Sequence, residues 1–230
     1  MPTRHWSPSR RHFLKAVGAG TVAVSLPAEA KISPPPPLNE YKPVFFNQEE
    51  WAFILAACAR LIPSEGEGPG ALETRVPVFI DLQMAGDFGK AADWYMEGPH
   101  YPDAKLDRGF QSPLSPAEIY RESISYINQW CEQHESNKFA LLSEDIQDRV
   151  LTSCQKNEIG LKSELKEFFS LLLQNTKEGY FADPMYGGNY GLAAWKHIGF
   201  PGARAAFTEW VDQHNVPYPL GPVSISGERG

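Results

Sequence analysis

The sequence predicts an all-α protein, with a single irregular helical domain and long loops. Apolar residues recur at helical spacing in several segments, and some of these segments begin with residues that cap helices. Alternating strand patterns are scarce, and no strand-helix-strand rhythm indicates a parallel sheet. The 230 residues are 42% apolar and 21% charged, which is typical of one globular domain.

The first predicted helix begins after Asn47. This residue and Glu50 form a capping box, in which each side chain binds the backbone amide of the other residue. An apolar stripe then continues at helical spacing until Pro63 ends the helix. The stripe consists of Trp51, Ile54, Leu55, Cys58, Leu61 and Ile62.

Five further helices are predicted by the same signals. The second covers 76–84, with Pro77 in its first turn. The third starts with a capping box at Ser115 and Glu118 and continues to His134. We expect the others at 144–155 with Ser143 as cap, at 162–177 ending at Gly179, and at 203–213 after Pro201-Gly202. A short helix would carry Asp93 and Glu97.

The first thirty residues have the pattern of a twin-arginine export signal. Arg10 and Arg11 are followed by Phe13 and Leu14, then by a mildly apolar stretch over 16–26. Ala28-Glu29-Ala30 supplies a small-x-small cleavage site. An apolar run of about 11 residues is too short to span a bilayer, which needs about 20. Proteins that take this route cross the membrane already folded, so we expect a periplasmic protein.

The remaining chain divides by composition. Residues 31–43 contain four consecutive prolines and are interpreted as an extended linker. We expect residues 44–215 to form the helical domain and 216–230 an extended C-terminal tail that is able to lie on a partner. Beyond residue 30 the chain has 17 basic and 27 acidic side chains, so nucleic-acid binding is excluded.

Residue patterns for chemistry are weak. The glycine cluster 187–191 follows Asp183-Pro184 instead of a strand, so a turn with positive φ is favoured over a nucleotide site. Cys131 and His134 share a helix face without further metal ligands nearby. Asp93 and Glu97 are interpreted as solvated carboxylates instead of an acid-base pair.

The three cysteines, Cys58, Cys131 and Cys154, are too few and too far apart for covalent haem or a four-cysteine cluster. Free buried thiols are favoured, and a single disulfide between two of them stays open. We expect no cofactor and no metal on this chain.

From Tyr41 onward the sequence resembles the gluconate 2-dehydrogenase subunit 3 family. The resemblance covers nearly the whole chain after the linker. The matching motifs are Ala59-Arg60-Leu61-Ile62-Pro63, Val76-Pro77-Val78-Phe79-Ile80-Asp81, Trp94-Tyr95-Met96-Glu97-Gly98-Pro99, Gly179-Tyr180-Phe181-Ala182-Asp183-Pro184, Gly187-Gly188-Asn189, and Gly199-Phe200-Pro201-Gly202.

The resemblance implies a three-subunit, membrane-associated complex. A large FAD-containing subunit oxidises gluconate to 2-ketogluconate, and a cytochrome c subunit with haem c passes electrons to quinone. The small subunit is non-catalytic, stabilises the flavoprotein and escorts it through the twin-arginine machinery. Two alternatives stay open: the same role beside another FAD-dependent sugar, polyol or glycoside dehydrogenase, and a free-standing periplasmic oxidoreductase. A general helical binding module is a third.

The segment 179–202 is the predicted partner interface, because it is rich in aromatic and turn-forming residues without a helical stripe. The alternative is that its aromatic residues cap the domain's own core. The candidate interface residues are Tyr180, Phe181, Asp183, Pro184, Gly187, Gly188, Asn189, Trp195, Lys196, Phe200 and Pro201.

Overall fold

The computed structural model describes residues 35–64, 66, 68–105 and 108–230. By its internal contacts the chain divides into two units, Met1–Pro37 and Leu38–Gly230, and every described helix lies in the second unit. The predicted export signal, with Arg10, Arg11, Phe13 and Leu14, lies outside the described residues, as does the start of the predicted linker.

The all-α prediction is confirmed. Within the described part of the second unit there are six α-helices and no strand, only two isolated β-bridges. No described helix is long and apolar enough to cross a bilayer. The helices are α1 (Gln48–Leu61), α2 (Val76–Ala85), α3 (Pro116–Glu135), α4 (Glu144–Gln155), α5 (Phe168–Phe181) and α6 (Ala193–Ile198).

Both predicted capping boxes are present. The Asn47 side chain accepts hydrogen bonds from the amides of Glu49 and Glu50, and Glu50 Oε2 accepts one from the Asn47 amide at 2.9 Å. Ser115 and Glu118 make the reciprocal pair at the start of α3. These bonds satisfy amides that have no partner inside the helix, so both helices begin where the sequence predicts.

Helix α1 lies at the centre of the domain and contacts each of α2, α3, α4 and α5. Its Phe53 is fully buried, with its ring centroid 4.5 Å from that of Phe139. Tyr120 of α3 packs edge-on to Phe168 of α5 at 5.4 Å and donates a hydrogen bond to Asn175 Oδ1 at 2.9 Å. The core is therefore an aromatic layer shared by three helices.

A buried carboxylate connects the segment before α1 to α2. Asp81 is fully buried and accepts four hydrogen bonds: from the Tyr41 hydroxyl at 2.8 Å and from the amides of Val44, Phe45 and Phe46 at 2.7 to 3.0 Å. Hydrogen bonds to a charged group contribute roughly 1.5–3 kcal/mol each. This aspartate thus fixes the path of the chain into α1.

The fifth predicted helix, over 162–177, is shifted in the structure. Ser163–Leu165 form a separate 3₁₀ turn, and α5 begins at Phe168 and continues through Gly179 to Phe181. The prediction that Gly179 ends the helix is wrong. A Cβ at this position would lie 2.8 Å from the Phe79 ring, so the glycine permits close packing of α5 on α2.

Three local predictions are also wrong. The helix expected over 203–213 is absent, and Thr208–Trp210 form only a 3₁₀ turn. Asp93 and Glu97 lie exposed in a segment that is not α-helical. Ser143 occupies the N-cap position of α4, but its side chain makes no capping hydrogen bond.

Candidate partner-binding surface

Six large side chains are exposed within 181–200 and form what we call the apolar surface. Phe181 lies at the end of α5, and Ile198, 53% exposed, at the end of α6. The members of the apolar surface are Phe181, Met185, Tyr186, Tyr190, Ile198 and Phe200. All six fall in one twenty-residue segment, and exposed apolar groups that lie together are typical of interaction sites in soluble proteins.

The predicted interface residues divide into two sets. Phe181, Lys196 and Phe200 are exposed, and Pro184, Gly187 and Pro201 are partly exposed. The buried set consists of Tyr180, Asp183, Gly188, Asn189 and Trp195. The exposed residues are available to a partner, whereas the buried ones hold the segment in place. Contact of the exposed residues with a partner stays a prediction.

Asn189 organises the segment from the inside. It is fully buried, donates from Nδ2 to the Ala182 carbonyl at 3.0 Å, and accepts at Oδ1 from the Ala194 amide at 2.9 Å. Its φ of 43° lies in the left-handed region, which asparagine tolerates better than most residues. One side chain therefore ties the end of α5 to the start of α6.

Trp195 makes the second connection between the end of α5 and α6. Its indole Nε1 donates to the Phe181 carbonyl at 2.8 Å, and its ring packs edge-on against Phe200 at 5.0 Å. The Phe200 amide in turn donates to the Trp195 carbonyl at 2.9 Å. The same buried tryptophan thus fixes the backbone at Phe181 and the side chain of Phe200.

The glycine cluster serves the chain's own packing. Gly187 has a φ of 93°, and a Cβ there would lie 2.8 Å from Leu82. A Cβ at Gly188 would collide with the Gly179 carbonyl. These glycines let the turn approach α2 and α5 closely, so the predicted turn with positive φ is confirmed at Gly187.

Tyr190 connects the apolar surface to the residues just before α2. Its amide donates to the Thr74 carbonyl at 3.1 Å, and its ring lies 5.6 Å from the guanidinium of Arg75. The same guanidinium lies 5.9 Å from the ring of Tyr41. Arg75 is buried and joins the two rings through cation-π contacts.

The charge of this region differs from that of the whole chain. The formal net charge of the chain is −7, yet residues 184–208 contain neither aspartate nor glutamate. Lys196 is exposed beside the apolar surface, and Asp183, at its start, is buried. The apolar surface therefore has Lys196 at one edge and the exposed Glu73 near another, next to Thr74, whose carbonyl accepts from the Tyr190 amide.

The comparison with known families gives one match. A family model described as gluconate 2-dehydrogenase subunit 3 matches residues 48–202. The chain belongs to this family. The match includes α1 to α6 and the whole apolar surface, so membership makes the protein a subunit of a dehydrogenase complex. No curated protein and no solved structure gives a significant match.

The titratable side chains of the subunit are scattered. Among the described residues no group of three or more His, Cys, Asp or Glu side chains is arranged to hold a metal ion. His134 is exposed, stacks on Trp130 at 4.3 Å and meets its carbonyl at 2.8 Å. The predicted rim histidine is thus held by its own helix.

The cysteines of the subunit are buried free thiols. Cys58, Cys131 and Cys154 lie in the core, and Cys58 Sγ is 3.9 Å from the hydroxyl of Thr176. Burial raises the pKa of each thiol to about 12. Because the thiolate is the reactive form, these side chains act as packing groups at neutral pH.

Sequence reasoning missed four exposed members of this region: Met185, Tyr186, Tyr190 and Ile198. Helix α6 was also missed, since it has six residues and follows Leu192, whose φ of 58° is unusual for leucine. A usable signal was the absence of acidic residues over 184–208 in an acidic chain. Leu82 of α2, 40% exposed beside Gly187, gave no sequence signal.

Asn189→Ala is expected to destabilise the subunit by about 2–3 kcal/mol. The change leaves the Ala182 carbonyl and the Ala194 amide without their partner and puts alanine at a positive φ. Chemical denaturation of the purified chain measures the loss. Asn215→Ala is the matched control, because Asn215 also has a positive φ of 59° but is exposed. Equal losses for the two variants would show that the side-chain hydrogen bonds of Asn189 contribute nothing.

Proposed function

We propose that this subunit binds the FAD-containing large subunit of a gluconate 2-dehydrogenase through the apolar surface. In this proposal it is a non-catalytic small subunit that stabilises the flavoprotein. FAD lies on the large subunit, and haem c lies on a cytochrome c subunit that passes the electrons from gluconate oxidation to quinone. The complex works at the periplasmic face of the inner membrane.

The observation that carries the proposal is the rigid mounting of exposed aromatic side chains. The Phe200 ring packs edge-on against Trp195, the Phe181 ring packs edge-on against Tyr180 at 4.9 Å, and the Tyr190 ring lies 5.6 Å from the Arg75 guanidinium. Side chains that are ordered before binding lose less conformational entropy when a partner covers them. Aromatic residues with few rotatable bonds are also the commonest energetic centres of protein interfaces.

Family membership supports the same partner. The matched range 48–202 contains the helices that carry the apolar surface and the residues that hold it. A subunit of a multi-subunit enzyme needs at least one surface that another subunit covers. The apolar surface supplies this contact, and the exposed Lys196 at its edge can pair with a carboxylate of the large subunit.

We further propose that the subunit carries the flavoprotein through twin-arginine export. The supporting observation is the Ser9-Arg10-Arg11-His12-Phe13-Leu14-Lys15 motif in a chain of a dehydrogenase subunit family. A folded partner bound to the apolar surface would cross the membrane together with this subunit, which carries the signal. Cofactor insertion into the large subunit then precedes transport.

Ile198→Asp and Phe200→Asp are expected to weaken binding of the large subunit by about thirtyfold each. A charge buried in an apolar contact loses at least ~2 kcal/mol, and 1.4 kcal/mol corresponds to a factor of ten. The test is co-expression of tagged small subunit with the large subunit, followed by measurement of flavin and large subunit per small subunit after affinity purification.

Leu141→Asp is the matched control for these variants. Leu141 is 73% exposed and lies in the Phe139–Leu141 turn, which packs on α1 and α3. It should leave the flavin content unchanged. Full recovery of flavoprotein with Ile198→Asp and Phe200→Asp, or an equal loss with Leu141→Asp, would refute the assigned surface. Flavin retained stoichiometrically by the small subunit alone would instead favour a free-standing oxidoreductase.

Replacement of both Arg10 and Arg11 by lysine is expected to leave the large subunit in the cytoplasm. The twin-arginine pair is the recognition element of this route, so loss of both guanidinium groups blocks the carrier and its passenger together. Cell fractionation with a flavin-linked activity stain gives the distribution. Arg4→Lys, outside the motif, should leave export intact, and undiminished periplasmic activity of the double variant would contradict the carrier role.

A further inference from the structure

The C-terminal tail forms a small hairpin on the domain itself, which we call the tail hairpin (residues 222–230). Val223 bridges Gly202 on one side and Arg229 on the other. The Ala203 amide donates to the Val223 carbonyl at 2.7 Å, and the Ser224 amide donates to the Glu228 carbonyl at 2.8 Å. The tail therefore has a defined position beside the end of the apolar surface.

Asp183 connects the tail hairpin to the apolar surface through hydrogen bonds. The carboxylate is buried, and its Oδ2 accepts a hydrogen bond from the Ile225 amide at 2.7 Å. Its Oδ1 accepts one from the Met185 amide at 3.2 Å. A single side chain thus holds the backbone of Met185, in the apolar surface, next to the backbone of Ile225, in the tail.

The tail hairpin is anchored firmly but leaves its apolar tip uncovered. Pro222 and Ser224 are buried, and the Ser224 hydroxyl accepts a hydrogen bond from the Glu228 amide at 2.9 Å. Ile225, which lies between the buried Ser224 and the Ser226-Gly227 turn, is 64% exposed. Ile225 gains significance from its place next to Met185, since adjacent exposed apolar side chains are typical of interaction sites.

The surroundings of Ile225 match those of the apolar surface. Gly230, the last residue, lies against the side chain of Lys196, and Arg229 is exposed beside it. Through Asp183, the exposed Met185 of the apolar surface is next to the exposed Ile225, and the edge of the hairpin carries both Arg229 and Glu228. Both parts suit the same kind of partner surface, apolar at its centre and polar at its rim.

We propose that the tail hairpin is part of the interface with the large subunit, with Ile225 inserted into an apolar depression of that subunit. Asp183 is a positioning residue that sets the hairpin against the apolar surface. This inference rests on the proposed function and extends the interface to residues beyond 202, where the family match ends.

The test compares binding of the large subunit by co-purification of the complete complex from cells that carry the full-length chain. Ile225→Asp and a chain ending at Gly221 are both expected to lower recovery of the large subunit at least tenfold. Val211→Asp is the matched control, because Val211 is 68% exposed in the same C-terminal region and outside the hairpin. It should leave recovery unchanged.

Asp183→Asn separates positioning from simple loss of stability. An amide cannot accept from both the Met185 and the Ile225 amides in the same geometry, so the hairpin loses its bond at Ile225 while its residues and its bridge to Gly202 remain. We expect a several-fold loss of binding in the full chain and faster amide hydrogen exchange over 222–230. In the chain ending at Gly221 the same substitution should cause no further loss of binding.

The outcomes distinguish this inference from the proposed function. Loss of binding with Ile198→Asp but normal binding with Ile225→Asp and with the shortened chain would overturn the role of the tail hairpin alone. Normal binding in all three would overturn the apolar surface as well. An Asp183→Asn loss that persists undiminished in the shortened chain would show that Asp183 acts on the 183–186 turn and not on the tail.

Discussion

The arrangement of segment 182–194 depends on Asn189, because backbone that is neither helix nor strand must satisfy its polar groups in other ways. Asn189 bonds Ala182 and Ala194, while Asp183 and Trp195 bond the chain on either side. With these bonds made inside, the large apolar side chains are left pointing outward. The buried polar groups and the exposed aromatic groups are two consequences of the same constraint.

The separation of buried polar groups from exposed, ordered aromatic side chains favours binding for a physical reason. An interface made by loosely held side chains would have to order them on association, at a cost of about 0.5–1.5 kcal/mol for each flexible side chain. Contacts with Trp195, Tyr180 and Arg75 order the rings of Phe200, Phe181 and Tyr190 beforehand. The contact role that we propose for this subunit benefits from such order. The unreactive state of its buried thiols is consistent with that role.

The sequence located the parts of the fold that local interactions decide, and missed those that tertiary contacts decide. Helices α1 and α3 begin at their capping boxes, which lie within four residues of sequence. Gly179 lies inside α5, where the Phe79 ring occupies the space that a side chain would need. The glycine therefore serves helix packing and does not end the helix. The pattern over 203–213 forms no helix: Phe207 and Trp210 pack on Tyr218, and Phe207 and Val211 remain exposed, so no helical stripe faces a core. The glycine and aromatic content of 179–202 indicated a special segment, but which of its side chains face outward depends on the position of Asn189.

Chemical footprinting of the subunit, alone and in its complex, tests the role of the apolar surface most directly. Carbene or hydroxyl-radical labelling, read by mass spectrometry, reports side-chain exposure at Phe181, Met185, Tyr186 and Phe200 simultaneously. We predict strong protection of these residues in the complex and unchanged labelling at Leu141, which lies outside the surface. Protection confined to other parts of the chain, with these four residues labelled as in the free subunit, would contradict that role.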